Sequence, residues 1–129
     1  MPLVRVDVLE GRTDEEVRTL LDTVQEVMEE VFAAPPRDRY QVLTEHRPGR
    51  LVLQDSGLGI ERTDRMVLVR VVQQGRSQAQ KQALYARLAE RLQESTGLRP
   101  EDLVVSVTEN AREDWSFGNG VAQFVEGLL

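Results

Sequence analysis

The sequence predicts an α+β fold: two β-α-β units in tandem, forming a four-stranded core sheet with both helices on one face. Three observations predict it. Residues 2–9 alternate between apolar and polar in the manner of a half-buried strand. Two amphipathic segments follow strand-like runs, and each is opened by a capping pattern. The whole arrangement also occurs twice at an offset of 64 residues: Gly11-Arg12-Thr13 falls on Gly75-Arg76-Ser77, Leu20 on Leu84, Val24 on Leu88, Pro36 on Pro100 and Asp38 on Asp102, with Pro2 landing on Met66. A shared glycine, arginine, cap, apolar stripe and proline mark an internal repeat. Each crossover then gives two parallel strands with a helix on the same side.

In the first strand Val4, Val6 and Val8 face one way and Leu3, Arg5, Asp7 and Leu9 the other. Thr13 caps the first helix and Glu16 reaches back to it, while Val17, Leu20, Leu21, Val24, Val27, Met28, Val31 and Phe32 recur at helical spacing. Ala34-Pro35-Pro36 ends that helix, because proline lacks a donor and pushes its predecessor out of the helical region. Residues 41–46 read as a second strand. After the turn at 47–50, residues 51–54 read as a short hairpin strand. The loop Ser56-Gly57-Leu58-Gly59 resembles a phosphate cradle only in its glycines, since it lacks the lysine and the strand-to-helix setting.

Residues 66–72 are nearly all apolar, the pattern of a strand buried on both faces. Ser77 and Gln80 repeat the capping box before a helix carrying Leu84, Tyr85, Leu88 and Leu92, which Gly97 terminates. Residues 103–108 form the fourth strand, and the tail 110–129 is expected to be ordered loop with one short strand. The 129 residues are expected to make one domain, with repeats at about 2–46 and 66–108.

Composition narrows the function. A net charge of −6 argues against nucleic acid as a partner, because a phosphate backbone demands clustered Lys and Arg. With no cysteine and the lone histidine His46, neither disulfides nor a zinc site is expected. There is no apolar run of membrane length and no basic, apolar leader, so no membrane partner and a cytoplasmic location are expected. The sheet face opposite the helices is expected to be rich in Val, Leu and Met with nothing left in the chain to cover it, which predicts an oligomer.

Pro2 is the residue with the most distinctive chemistry. If the initiator methionine is removed, the new terminus is a secondary amine, and a model α-amino group titrates at roughly 7.7–8.0. Such a group acts as acid, base or nucleophile near neutral pH. A proline also sits well at the start of a strand for structural reasons alone.

A tandem β-α-β whose second residue is proline resembles the tautomerase superfamily, and within it the malonate semialdehyde decarboxylase family. The likeness runs nearly end to end. It rests on Gly-Arg-Thr-Asp at 11–14, Pro-Pro-Arg-Asp-Arg-Tyr-Gln at 35–41, His-Arg-Pro-Gly at 46–49, Asp-Ser-Gly-Leu-Gly at 55–59 and Asp-Trp-Ser-Phe-Gly at 114–118.

The resemblance implies a homotrimer, no cofactor, and a small anionic aldehyde or keto acid as substrate. It implies decarboxylation of malonate semialdehyde to acetaldehyde, with hydratase activity on the side. The family's catalytic proline falls on Pro2 and its carboxylate on Asp38. Its Arg-x-Arg pair falls on Gln74-Gly75-Arg76, keeping only the second arginine, and its apolar wall falls on Trp115, Phe117, Phe124 and Leu129. The alternatives are a hydratase, tautomerase or dehalogenase acting on another small 2-oxo or unsaturated acid, or a binding protein in which Pro2 is incidental.

Overall fold

Valine at every second position makes Leu3–Leu9 a strand, β1, whose buried face is Val4, Val6 and Val8. The computed structural model describes residues 2–129 of the chain. β1 is followed by helix α1 (Asp14–Phe32), strands β2 (Tyr40–His46) and β3 (Val67–Gln74), helix α2 (Gln78–Thr96) and strand β4 (Leu103–Asn110). Short 3-10 turns occupy Pro100–Asp102 and Arg112–Asp114.

Both helices start and stop by the same devices. The Thr13 hydroxyl accepts from Glu16 N at 3.1 Å while the Glu16 carboxylate accepts from Thr13 N at 3.0 Å. Ser77 and Gln80 exchange the equivalent pair at 3.1 and 2.9 Å. Each helix ends on a left-handed residue, Ala33 at φ 54° and Gly97 at φ 75°. Glycine adopts that conformation freely, whereas Ala33 bears a cost of about 1 kcal/mol.

The strands lie in the order β2-β1-β3-β4. β1 runs parallel to β2 and β3 parallel to β4, while β1 and β3 meet antiparallel at the centre. Leu20, Val24 and Met28 of α1 and Leu84, Leu88 and Leu92 of α2 pack on Val4, Val6, Val8, Val67, Val69 and Val71, all at most 1% exposed. Burying each such side chain is worth about 1.5–3 kcal/mol, so this single helix-on-sheet layer dominates the stability.

The repeat is real, with a phase shift. In β3 the core-facing residues are Val67, Val69, Val71 and Gln73, so an offset of 64 would lay the buried Val4 on the outward Leu68. An offset of 65 restores the faces, placing Val4 on Val69 and Leu9 on Gln74. The connection into the helix is one residue shorter in the second half (75–77 against 10–13), which brings α2 back to an offset of 64. Pro2 therefore corresponds to Val67, not Met66, and the pseudo-two-fold axis passes through the opposed pair Arg5 and Arg70.

Four other expectations are corrected. β3 is buried on one face only, with Arg70 exposed and Leu68 and Val72 half-buried, because helices cover just one side of the sheet. The outer face is mixed rather than apolar: Leu3, Val42, Leu68, Val72 and Val104 share it with Arg5, Asp7, Thr44, Arg70, Ser106 and Thr108. Residues 51–54 pair with no strand, and the segment between β2 and β3 is a long irregular loop. That loop is pinned instead by side chains: Arg62 donates to Gln54 O at 2.9 Å and Glu101 O at 2.6 Å, and Thr63 bonds Asp102 through both its amide and its hydroxyl at 2.6 Å. The tail beyond β4 forms a 3-10 turn and further turns, with no strand.

Candidate active site at the start of the first strand

Register brings the sequence-predicted residues to one end of the sheet. Leu3 lies opposite Tyr40 on one side and Val72 on the other. The preceding residue, Pro2, is buried at the level of Arg39 and Gln73. Asp38 is therefore one residue from that level on the β2 side, and Gln74 and Arg76 follow directly on the β3 side. The turn that positions Asp38 is closed by its own amide donating to Pro35 O at 2.9 Å.

Asp38 carries the one carboxylate oxygen among the described residues that is buried without a hydrogen-bond partner, its Oδ2. Native structures rarely leave such an atom unpaired, and Gln25 Nε2 is the other described case; a role at a site, stored strain or a bound water accounts for such atoms. Arg76 approaches from the opposite half. Its guanidinium donates to Gln74 O at 2.8 Å, Gly75 O at 2.9 Å and Phe32 O at 2.8 Å, and lies 5.3 Å from the centroid of the Phe32 ring. Burial pushes its pKa below the usual arginine value, as expected of a cation partly withdrawn from water.

Above this end of the sheet lies an aromatic wall. Trp115 and Phe117 stack with centroids 5.4 Å apart, and Phe124 meets Phe117 edge-on at 5.4 Å. Two residues not assigned a role from sequence anchor the wall. Tyr40, on the outer face of β2, packs on Phe117 at 5.8 Å, and Asn110, at the end of β4, accepts from the Trp115 indole at 3.1 Å. The tail thus crosses from β4 to β2, above strand ends that carry Leu3, Val72 and Gln74 on the same face. Tyr40 was visible in the Pro-Pro-Arg-Asp-Arg-Tyr run; Asn110 had no signal beyond its place at a strand end. Leu129 takes no part in these ring contacts and is 63% exposed.

The other motifs resolve differently. The carboxylate of Asp55 accepts from Gly57 N at 3.2 Å and Gly59 N at 3.1 Å, so the glycine loop's donors are already used and no phosphate cradle exists there. His46 bonds Asp7 through Nε2 at 2.8 Å, and Arg70 bonds the other oxygen at 2.8 Å, a network on the outer sheet face. Among the described residues no three His, Cys, Asp or Glu are grouped to hold a metal, and no helix is long and apolar enough to cross a membrane.

Two family models of tautomerase enzymes match the chain, one over residues 38–118 and the other over residues 2–61. The chain is 43% identical, over 100% of both lengths, to the probable tautomerase YrdN of Bacillus subtilis (strain 168). A malonate semialdehyde decarboxylase, studied in crystals for its decarboxylase and hydratase activities, superposes with a TM-score of 0.95 at 42% identity, covering 98% of each chain. A second one, the FG41 malonate semialdehyde decarboxylase inhibited by 3-bromopropiolate, gives 0.94 at 41% identity over 98% of this chain and 97% of that one. Matched in sequence from end to end and in backbone across nearly every residue, this chain belongs to the tautomerase superfamily.

Proposed function

We propose that the protein decarboxylates malonate semialdehyde (3-oxopropanoate) to acetaldehyde and carbon dioxide, with Pro2 as the reacting amine once Met1 is removed. The observation that carries this reading is the Asp38 Oδ2 atom, buried without a hydrogen-bond partner one residue from the level of Pro2. The 41–42% identity to two malonate semialdehyde decarboxylases supports the choice of substrate.

Breaking the bond between the carboxylate carbon and its neighbour releases an electron pair that must flow into the aldehyde. Pro2 provides the sink in one of two ways. As an ammonium it donates to the aldehyde oxygen, where negative charge develops, and the enol then takes a proton at carbon to give acetaldehyde. As a free amine it attacks the aldehyde, loses water to form an iminium, and collects the electron pair as an enamine before hydrolysis. Asp38 favours the protonated amine of the first route, and in the second it positions the water that hydrolyses the iminium left when the enamine has taken a proton at carbon. Arg76 holds the carboxylate so that the breaking bond stands perpendicular to the carbonyl plane. Trp115, Phe117 and Phe124 exclude water from the departing carbon dioxide, and a homotrimer encloses the site.

Gln74 favours a second reading. A neutral amide hydrogen-bonds a carboxylate without the charged, two-pronged grip of arginine. A hydratase, tautomerase or dehalogenase acting on another small 2-oxo or unsaturated acid uses the same proline and the same water-positioning Asp38. The relative YrdN carries the name probable tautomerase.

One set of measurements separates the readings. Intact mass reports whether Met1 is gone. Turnover of malonate semialdehyde and a panel of 2-oxo and unsaturated acids is then compared between wild type and Pro2→Ala. Decarboxylation lost on substitution supports the proposal, and turnover independent of Pro2 overturns it. Borohydride trapping that labels Pro2 selects the iminium route.

A further inference from the structure

A cavity of about 550 Å3 lies at the end of the sheet opposite Pro2. It lies where the start of α1 and the end of α2 meet the segments leading into β3 and β4, and Arg12, Glu15, Glu16, Asp64, Arg65 and Asp102 are among its lining. Each side of it is the counterpart of something at the Pro2 end. Arg12 occupies the place of Arg76, Asp102 that of Asp38, and the start of β3 that of the start of β1.

Two differences remove any amine chemistry. The residue in the place of Pro2 is mid-chain and has only an amide nitrogen. Asp102, unlike Asp38, has both oxygens satisfied by Thr63, each at 2.6 Å. What persists is a chamber with a cation at its wall.

The charges in that chamber are unevenly matched. Glu16 pairs with Arg65 at 2.9 Å, and Arg99 with Glu101 at 3.0 Å. Arg12 is half-buried and donates to Arg65 O at 2.7 Å, yet no carboxylate among the described residues lies within the 4.0 Å of an ion pair with it. Burial, then the charge of Arg65, pushes its pKa down, and the charges of Glu16, Asp102 and Asp64 offset only part of that, so the chamber holds a cation without a direct anionic partner. Glu15 and Asp64 also line the chamber, are exposed, and pair with no cation among the described residues. A plain anion entering here meets four carboxylates as well as three arginines, and a plain cation meets Arg12. A molecule with both charges answers both.

We infer that this cavity binds a small zwitterion, an ω-amino acid in chemical class, with its carboxylate on the Arg12 guanidinium and its ammonium toward Glu15 and Asp64. The inference stands on the geometry of the repeat and is independent of the reaction assigned to Pro2.

The test is a titration of the full-length protein followed by amide NMR shifts, with 4-aminobutanoate, butanoate and butylamine as matched probes. The expected result is saturable shifts at residues 12–16, 63–65 and 97–99 with 4-aminobutanoate, and binding at least about tenfold weaker for each single-charge probe. Arg12→Gln weakens 4-aminobutanoate binding about tenfold or more. Should that variant fail to fold, Glu15→Gln with Asp64→Asn carries the test, and it must weaken 4-aminobutanoate while leaving butanoate unchanged or tighter. No saturable shift in wild type, equal binding of butanoate, or binding unaffected by these substitutions overturns the inference.

Discussion

Arg76 joins the two halves of the chain: its guanidinium donates to the carbonyl of Phe32, the last residue of α1, at 2.8 Å while lying across that residue's ring. The helix end gains a donor for one of its otherwise unpaired carbonyls and a positive charge against its dipole. Arg76→Ala is expected to lower kcat/KM for malonate semialdehyde by about 10²-fold or more and also to lower Tm by a few degrees, on the order of 1 kcal/mol. Arg76→Lys keeps the charge and loses the fork of donors, so it should fall between. Steady-state kinetics beside thermal melts check both, and near wild-type turnover in Arg76→Ala refutes the role in binding.

Asp38 predicts a different coupling. Its buried oxygen has no hydrogen-bond partner, a cost to folding that the charge of a freed Pro2 amine offsets. Asp38→Asn should therefore move the urea midpoint little while lowering turnover about 10²-fold. A variant that is both less stable and fully active marks the carboxylate as structural.

Gln74→Arg restores a charged donor beside Arg76. The expected effect is a KM for malonate semialdehyde about tenfold lower, with a smaller change in kcat. An unchanged KM across the acid panel shows that this position does not meet the carboxylate.

Asp7 gives a pH prediction. Burial raises its pKa, but hydrogen bonds and charge from His46 and Arg70 outweigh that and hold it below the ordinary carboxylate value of 3.8. A depressed folded pKa means stability that is present above the unfolded value and lost as pH falls through the folded one. Asp7→Asn should thus cost more at neutral pH than at a pH below 3.8, read from urea melts at the two pH values. An equal loss at both assigns the effect to shape rather than charge.

Periodicity and capping made the elements legible: Thr13 with Glu16 and Ser77 with Gln80 announced both helices, and both boxes form. Strand phase was hidden, because a match anchored on Gly75-Arg76 cannot reveal that the connection there lost a residue. The apolar run at 66–72 hid which valines faced water, since that depends on how many layers cover the sheet. Leu51-Val52-Leu53 alternates like a strand, yet pairing needs a neighbour that only the tertiary arrangement provides or withholds. At the site, Pro2 stood out by its own chemistry, whereas Asp38 and Arg76 were singled out only through the family resemblance. Tyr40 and Asn110 did not stand out, because their roles come from which strand ends the tail crosses.

Trp115 is the only tryptophan in the chain, stacked on Phe117 and hydrogen-bonded to Asn110, whose β3 neighbour is Gln74. Excited at wavelengths too long for Tyr40 and Tyr85 to absorb, the protein accordingly emits from a single point. Any molecule that settles beside that indole alters its emission, giving an unlabelled optical signal for occupancy at this end of the sheet and not elsewhere.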